Sequence, residues 1–424
     1  MITAKTKRQL QQLDWDFDQA LPGTSKTIHW YPGTYPADLP TTLIQALTKP
    51  NDLVFDPYGG SGTTAIEAVR QLRRAWVVDS NPIGSLISYV SCGSLLVAAV
   101  DRRLVSMLVE SVRNIILRVM ESAPAQHVLE IGSNIGNDVD LIVSTLVEPA
   151  PKTVLNSYES TPCYLELERW IDKGTLADIR ALVAAFGQAS IGDFGKLLFT
   201  TMLSAVLRPA SSQTQSWGHI ADNVYPKVFV RKDIFRLALQ WLSRFEGNIS
   251  KTEIAPLPLS LQEDTRAWIS NHNWSSDAPK HSPQGLPCAL MMTSPPYAGA
   301  IDYIFSQRLS LYAIGFEEEE IEKLSRGEYG ARRRRNRRAS QETWAEELVL
   351  ALDRQLQYMG TPSFSVFVMP HKDEGRDVGT QILTECLESY YWKKLIEVDR
   401  SIRQVRARQS WTSIKKETIH IFGR

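Results

Sequence analysis

Cysteine is scarce in this chain. There are four, Cys92, Cys163, Cys288 and Cys386, widely scattered and without a CxxC pair. That usage fits a reduced compartment and argues against a structural zinc site, so no metal is expected. An excess of either charge is lacking too: Lys and Arg total 47, and so do Asp and Glu. Net charge therefore points to no polyanion, and any contact with nucleic acid must come from local clusters. Long apolar runs are missing as well. The longest weakly apolar stretch, "LISYVSCGSLLVAAV", has 15 residues with Ser and Gly inside it, too short and too polar to span a bilayer. The start, "MITAKTKRQLQQLDWDFD", is too polar for a signal peptide. The expectation is a soluble, cytoplasmic protein with no membrane contact. Internal repeats are absent, and the one biased tract is a run of arginines.

What remains is an ordinary globular composition, 43% hydrophobic and 22% charged over 424 residues. It supports a sizeable core and two or three domains, or one large domain with an insertion. The most informative stretch is "DLVFDPYGGSGTTAIEAVRQLRRAWVVDSNP", residues 52–82. "LVF" reads as a short strand, "DPYGGSG" as a tight glycine-bearing loop, and "TTAIEAVRQL" as a helix with one apolar face. "AWVVD" is a second strand ending in an acid. Glycines let a backbone approach a ligand closely, and an acid closing the second strand accepts hydrogen bonds from ribose hydroxyls. Asp79 lies 17 residues after Gly62, close to the spacing that role needs. The loop lacks the lysine of a phosphate-binding P-loop, and its glycines do not follow the dinucleotide spacing. An adenosine-bearing ligand is the reading.

A second signal is "MTSPPYAGAIDY", residues 292–303. The preceding run "CALMM" reads as a buried strand, and two prolines stop it because neither can donate to a ladder. Ser294 and Tyr297 are thereby left at a strand's carboxyl end, where open α/β sheets bind ligands.

These two stretches carry a resemblance. "DPYGGSGTT" resembles the cofactor loop of the DNA amino-methyltransferases, and "TSPPY" looks like their catalytic motif. "IHWYPGTYP" (28–36) is similar to the family's segment that closes over the methionine end of S-adenosylmethionine. "SLQEDTRAW" (260–268) resembles its strand-plus-acid element at the adenine ring. The implied fold is α/β: a class-I methyltransferase-like, doubly wound seven-stranded sheet with a mainly helical insertion. The implied cofactor is S-adenosylmethionine. Asp56 and the Gly59–Gly62 backbone, with Pro57, Tyr58, Gly60, Ser61, Thr63 and Thr64, would meet its amino-acid portion. Asp79 and Ser80 would serve the ribose, Asp264 the adenine, and His29, Tyr31 and Pro32 would cover the methionine, with Thr293 beside them. In the catalytic motif, the Ser294 hydroxyl and the Pro295 carbonyl would hold the hydrogens of a target amine. Pro296 would brace the turn, and Tyr297 would stack on a base rotated out of its duplex. Serine at 294, where adenine-specific relatives often carry Asp or Asn, favours cytosine N4. Adenine N6, an RNA substrate and a non-catalytic nucleic-acid-binding module are the alternatives. Tyr58 stands where Phe is common, and about 230 residues separate the two motifs, so no target-recognition residues are carried over.

Organisation follows from these positions. Residues 1–94 are read as the first part of the methyltransferase domain, 95–250 as a mainly helical insertion that recognises the target, and 251–424 as the second part. "SFSVFVMP" (363–370) and "ETIHIFGR" (417–424) suit the last strands. Because the second reads as the final core strand, recognition is expected from the insertion and from loops after the catalytic motif. "VLEIGSNIGN" (128–137) imitates a methyltransferase loop but lacks a following strand and acid, and is read as a loop. Pro-Cys, the dipeptide of ring-carbon cytosine methyltransferases, occurs at 162–163 and at 287–288, where Cys288 suits core packing. Arg332, Arg333, Arg334, Arg335, Arg337 and Arg338 form a run suited to DNA phosphates. "RSIRQVRARQSW" (400–411) could line the same groove, and "SSQTQSWGHIADNVYPK" (211–227) is either a base-reading loop or plain surface. The expected partner is double-stranded DNA, with a cognate restriction endonuclease and a homodimer as further candidates.

Overall fold

Seven strands form one sheet in the order β3-β2-β1-β4-β5-β7-β6. They are β1 (Leu53–Asp56), β2 (Arg74–Asp79), β3 (Ala267–Asn271), β4 (Cys288–Thr293), β5 (Met359–His371), β6 (Lys393–Ser401) and β7 (Lys416–Gly423). This computed structural model describes residues 3–17, 21–121, 133–148, 161–213, 225–258, 261–262, 264–297, 301–328, 330–331, 340–371, 378–401 and 416–424. The first five strands are parallel, while β7 runs antiparallel between β5 and β6. The fold is α/β, with helices on both faces.

The strand sequences explain that layering. Alternate residues enter two different cores, so each strand reads as a nearly continuous apolar run. Val54, Val77, Leu290, Met292, Val366 and Ile421 face one core. Phe55, Trp76, Met291, Phe367 and Phe422 face the other. The second core is closed by the helices Ser340–Leu356 and Val378–Ser389, through Leu348, Leu352, Leu383 and Leu387.

The first core is covered by the helices between β2 and β3. One of them, Pro82–Met120, contains an apolar window long enough to cross a membrane. That window is 94% buried inside the fold, as befits the central helix of a core. It starts on Asn81, whose side chain accepts the Ile83 N–H at 3.0 Å, with proline in the first turn. Its path breaks at Asp101, whose carboxylate takes the Arg103 N–H at 2.9 Å and restarts the helix. Helices Ser133–Leu146, Gly192–Ala210 and Ile234–Lys251 pack on it, and their apolar residues join the same core.

Three sequence readings change here. The boundary placed at residue 94 falls inside the helix Pro82–Met120, because its apolar face continues from the sheet to the inserted helices without a break. "VLEIGSNIGN" is not wholly a loop, since Ser133–Leu146 begins within it and buries Val139 and Val143. The last strands run 359–371 and 416–423, and a third, β6, pairs with β7 outside the segments expected.

Candidate active site

The site lies where the parallel strands end. β1 finishes on Asp56, and the chain turns through Pro57–Gly62 into the helix Thr63–Arg70. The Gly59 N–H donates to the Val78 carbonyl at 3.1 Å, tying the loop to β2. A methyl group on Gly59 would fall 2.1 Å from Val77, so this contact excludes any side chain. Gly60 and Gly62 have φ of +53° and +77°, the left-handed region that glycine enters without strain.

Asp79 closes β2 beside this loop. Its Oδ2 accepts the Gly60 N–H at 2.6 Å and its Oδ1 the Asn81 N–H at 2.7 Å. Burial pushes its carboxyl up to about 6, and those two amides temper the rise. The acid therefore orders the glycine loop as well as facing the cleft.

Sheet order brings in the second motif. β4 lies next to β1, with Phe55 opposite Met291, so Thr293 ends level with Asp56. The Thr293 hydroxyl donates to Asp56 Oδ1 at 2.7 Å. Asp56 is only 3% exposed, and burial raises its carboxyl against the hydrogen bonds it accepts. Residues 237 apart in the chain are thus joined by one buried bond.

Both motifs open onto one cleft of about 830 Å³, counting the solvent at its mouth. Tyr31 and Pro32 line it, as do Asp56, Pro57, Tyr58, Gly59, Gly60, Ser61 and Thr63 of the first motif. Asp79, Ser80, Ser294 and Pro296 complete the set of anticipated residues on its wall. Gly62, Thr64, Thr293 and Pro295 stand outside that lining. Thr64 and Thr293 are buried behind it, Thr64 against the Tyr35 hydroxyl.

Three anticipated residues are elsewhere. His29 is 5% exposed and binds Ser204 Oγ through Nε2 at 2.8 Å and the Trp30 carbonyl through Nδ1 at 2.7 Å. It borders a separate, smaller cavity with Arg208 and Gln307. Burial lowers its pKa to about 4, so it packs as a neutral core residue. Asp264 pairs with Arg74 at 3.0 Å on the surface. It precedes β3, and the start of a parallel strand lies on the edge opposite the cleft. Tyr297 is not on the cleft wall: its hydroxyl is 3.2 Å from the Val368 carbonyl and 3.1 Å from Glu417. The run Arg332–Arg338 lies outside the described residues, as do most of 211–227 and 400–411. Cys288 is fully buried, and burial pushes its thiol up, which suits packing rather than nucleophilic attack.

Several wall residues escaped the sequence reading. His272, Asn273 and Trp274 follow β3 and line the cleft in the place assigned to Asp264. The Trp274 indole donates to the Pro57 carbonyl at 2.7 Å, and the Asn271 amide to the Asp79 carbonyl at 2.8 Å. Counting from the end of the run "AWIS" rather than its start would have found them. Tyr303 stacks on Tyr31 with ring centroids 6.3 Å apart, and Glu328 accepts the Tyr303 N–H at 2.6 Å. The Trp344 indole donates to the Pro296 carbonyl at 2.9 Å. Local sequence holds no signal for Glu328 or Trp344.

Two comparisons with known proteins match parts of the chain. Residues 3–88 match the family described as DNA methylase. The chain is also similar to the Type II methyltransferase M.PvuII of Proteus hauseri, 47% identical over 47 residues. That match covers 11% of this chain and 14% of the relative. In these segments, which the seven-stranded sheet holds, the chain is similar to DNA amino-methyltransferases.

Proposed function

We propose that this chain methylates an exocyclic amino nitrogen of DNA, in the first place N4 of cytosine, with S-adenosylmethionine as donor. The observation that carries the reading is the shared cleft, with Gly60 on one wall and Ser294 and Pro296 on another. The walls fit the donor: glycine backbone against the β2 edge, the buried Asp56 and half-buried Asp79 carboxyls, and the aromatic rings of Tyr31 and Tyr58. When bound, S-adenosylmethionine supplies an electrophilic methyl group on a sulfonium.

The chain's own part is positioning. A base amine is a poor nucleophile because its lone pair is delocalised into the ring. Ser294 Oγ, and the Pro295 carbonyl as the second acceptor, would hold its two hydrogens and favour a pyramidal nitrogen. Held geometry and fixed dipoles then supply most of the acceleration, and no strong base is needed before the nitrogen becomes cationic. Tyr297 does not line the cleft, so stacking on the base is not assigned to it.

Site-specific methylation of duplex DNA, beside a cognate endonuclease, belongs to the same proposal, and similarity over 47 residues to a protein named a Type II methyltransferase is in keeping with the methyl-transfer part of it. Arg332–Arg338 would add phosphate contacts. Incubation with labelled S-adenosylmethionine and mixed-sequence duplex DNA, followed by nucleoside analysis, tests the reading. Labelled N4-methylcytosine is expected. Labelled N6-methyladenine alone would overturn the cytosine choice, and no label in DNA would overturn the whole.

A further inference from the structure

Behind Ser294 the polar groups continue into the protein. The Ser294 hydroxyl donates to the Tyr297 hydroxyl at 3.1 Å. The Tyr297 hydroxyl in turn faces the Val368 carbonyl at 3.2 Å and Glu417 Oε1 at 3.1 Å. A carbonyl and an ionised carboxylate only accept, and a phenol has one proton to give. That proton goes to Val368 or Glu417, so the Ser294 proton is the one shared with Tyr297. Ser294 is left with lone pairs to offer the cleft.

Strand pairing explains the place of Glu417. β7 runs antiparallel to β5, so its first residues reach the edge where β4 and β5 end. Glu417 lies directly across from Pro370 on one side and Arg400 on the other. Arg400 is 6% exposed, with its Nε 3.8 Å from Glu417 Oε2. Burial raises the Glu417 carboxyl, while Arg400 and the Tyr297 hydroxyl pull it back. A guanidinium is always charged, and a buried one needs a counter-charge.

We propose that Glu417, held by Arg400, is a positioning residue that strengthens the acceptor character of Ser294 through Tyr297. The inference rests on the methyl-transfer reading and adds to it a pair of buried charges away from the cleft. A carboxylate at the end of a hydrogen-bond chain polarises each link, and charge-assisted bonds are the stronger kind. Ser294 thus accepts an amine hydrogen better than an isolated serine does. No proton is transferred and no bond is broken in this role.

The test is steady-state kinetics on duplex DNA with S-adenosylmethionine. Glu417→Gln keeps size and a hydrogen bond but removes the charge. Its kcat is expected to fall about tenfold or more, with KM for DNA and Kd for S-adenosylmethionine within about twofold of wild type. Since that change strands Arg400, the double variant Arg400→Met/Glu417→Gln is made alongside it. Its melting temperature should return towards wild type while kcat stays low. In a Tyr297→Phe background, Glu417→Gln should change kcat by less than about twofold, because the chain is already cut. Wild-type kcat in Glu417→Gln, or a loss that multiplies in full with that of Tyr297→Phe, would overturn the inference alone. A wild-type protein that methylates nothing would remove the functional reading and this inference with it.

Discussion

A carboxyl group's neighbours decide what it can do, and Asp79 and Asp264 show two outcomes. Asp79 accepts two backbone amides and carries a pKa raised to about 6 by burial. Raised from its ordinary 3.8, it binds a proton more tightly folded than unfolded. Its contribution to stability is therefore complete below that ordinary value and is lost as pH rises through 6. On the proposed function binding has the opposite dependence, because the ionised form would be the one that accepts from ribose. S-adenosylmethionine affinity, followed by calorimetry, should be flat above pH 7 and weaken towards tenfold per unit below about pH 6. Asp264 is half exposed, paired with Arg74, and exposed pairs contribute at most about 1 kcal/mol. Asp264→Ala should leave S-adenosylmethionine affinity within about twofold of wild type by the same measurement. A loss of tenfold would return Asp264 to the site.

Strands β1 and β4 show how elements hold the two motifs together. Their register sets Asp56 beside Thr293, and the 2.7 Å bond between them closes the gap. Thr293→Val keeps the shape and removes the donor, leaving a buried carboxyl short of a partner. Urea unfolding should show a loss of about 1–3 kcal/mol, with Thr293→Ser close to wild type. Strand direction also explains the misplaced adenine-side residue. The run "AWIS" announces a strand, but which end meets the ligand depends on its being parallel to β2, and that depends on pairing. Five residues of strand carry the chain about 16 Å, which separates Asp264 from the edge where Asn273 lies.

For the molecule as a whole, the inserted helices and the sheet share one core. Leu86, Val109, Leu198 and Leu242 belong to the same cluster as Val54 and Val77. The helical layer should therefore unfold with the sheet in one transition. Fluorescence of single-tryptophan variants retaining Trp241 of the helical layer or Trp76 of β2 should give coincident urea midpoints, and circular dichroism the same midpoint. Two separated transitions would make the insertion an independent domain.

Much of the fold and half of the site were legible in the primary structure, and the division has a physical cause. Glycines at positive φ, prolines that end a strand and apolar runs with both faces buried are set by nearest neighbours. The glycine loop, Asp79, the Ser294 turn and the parallel α/β pattern could therefore be read from residues 52–82 and 288–297. The continuity of the helix Pro82–Met120 with the sheet core was not legible. His29 became core, Tyr297 turned to Glu417, and Trp274 and Glu328 joined the cleft through contacts between distant segments. Such contacts exist only once strand order is set. Residue type and spacing carry backbone conformation, whereas the direction of a buried polar side chain follows from which partner the assembled sheet brings within reach.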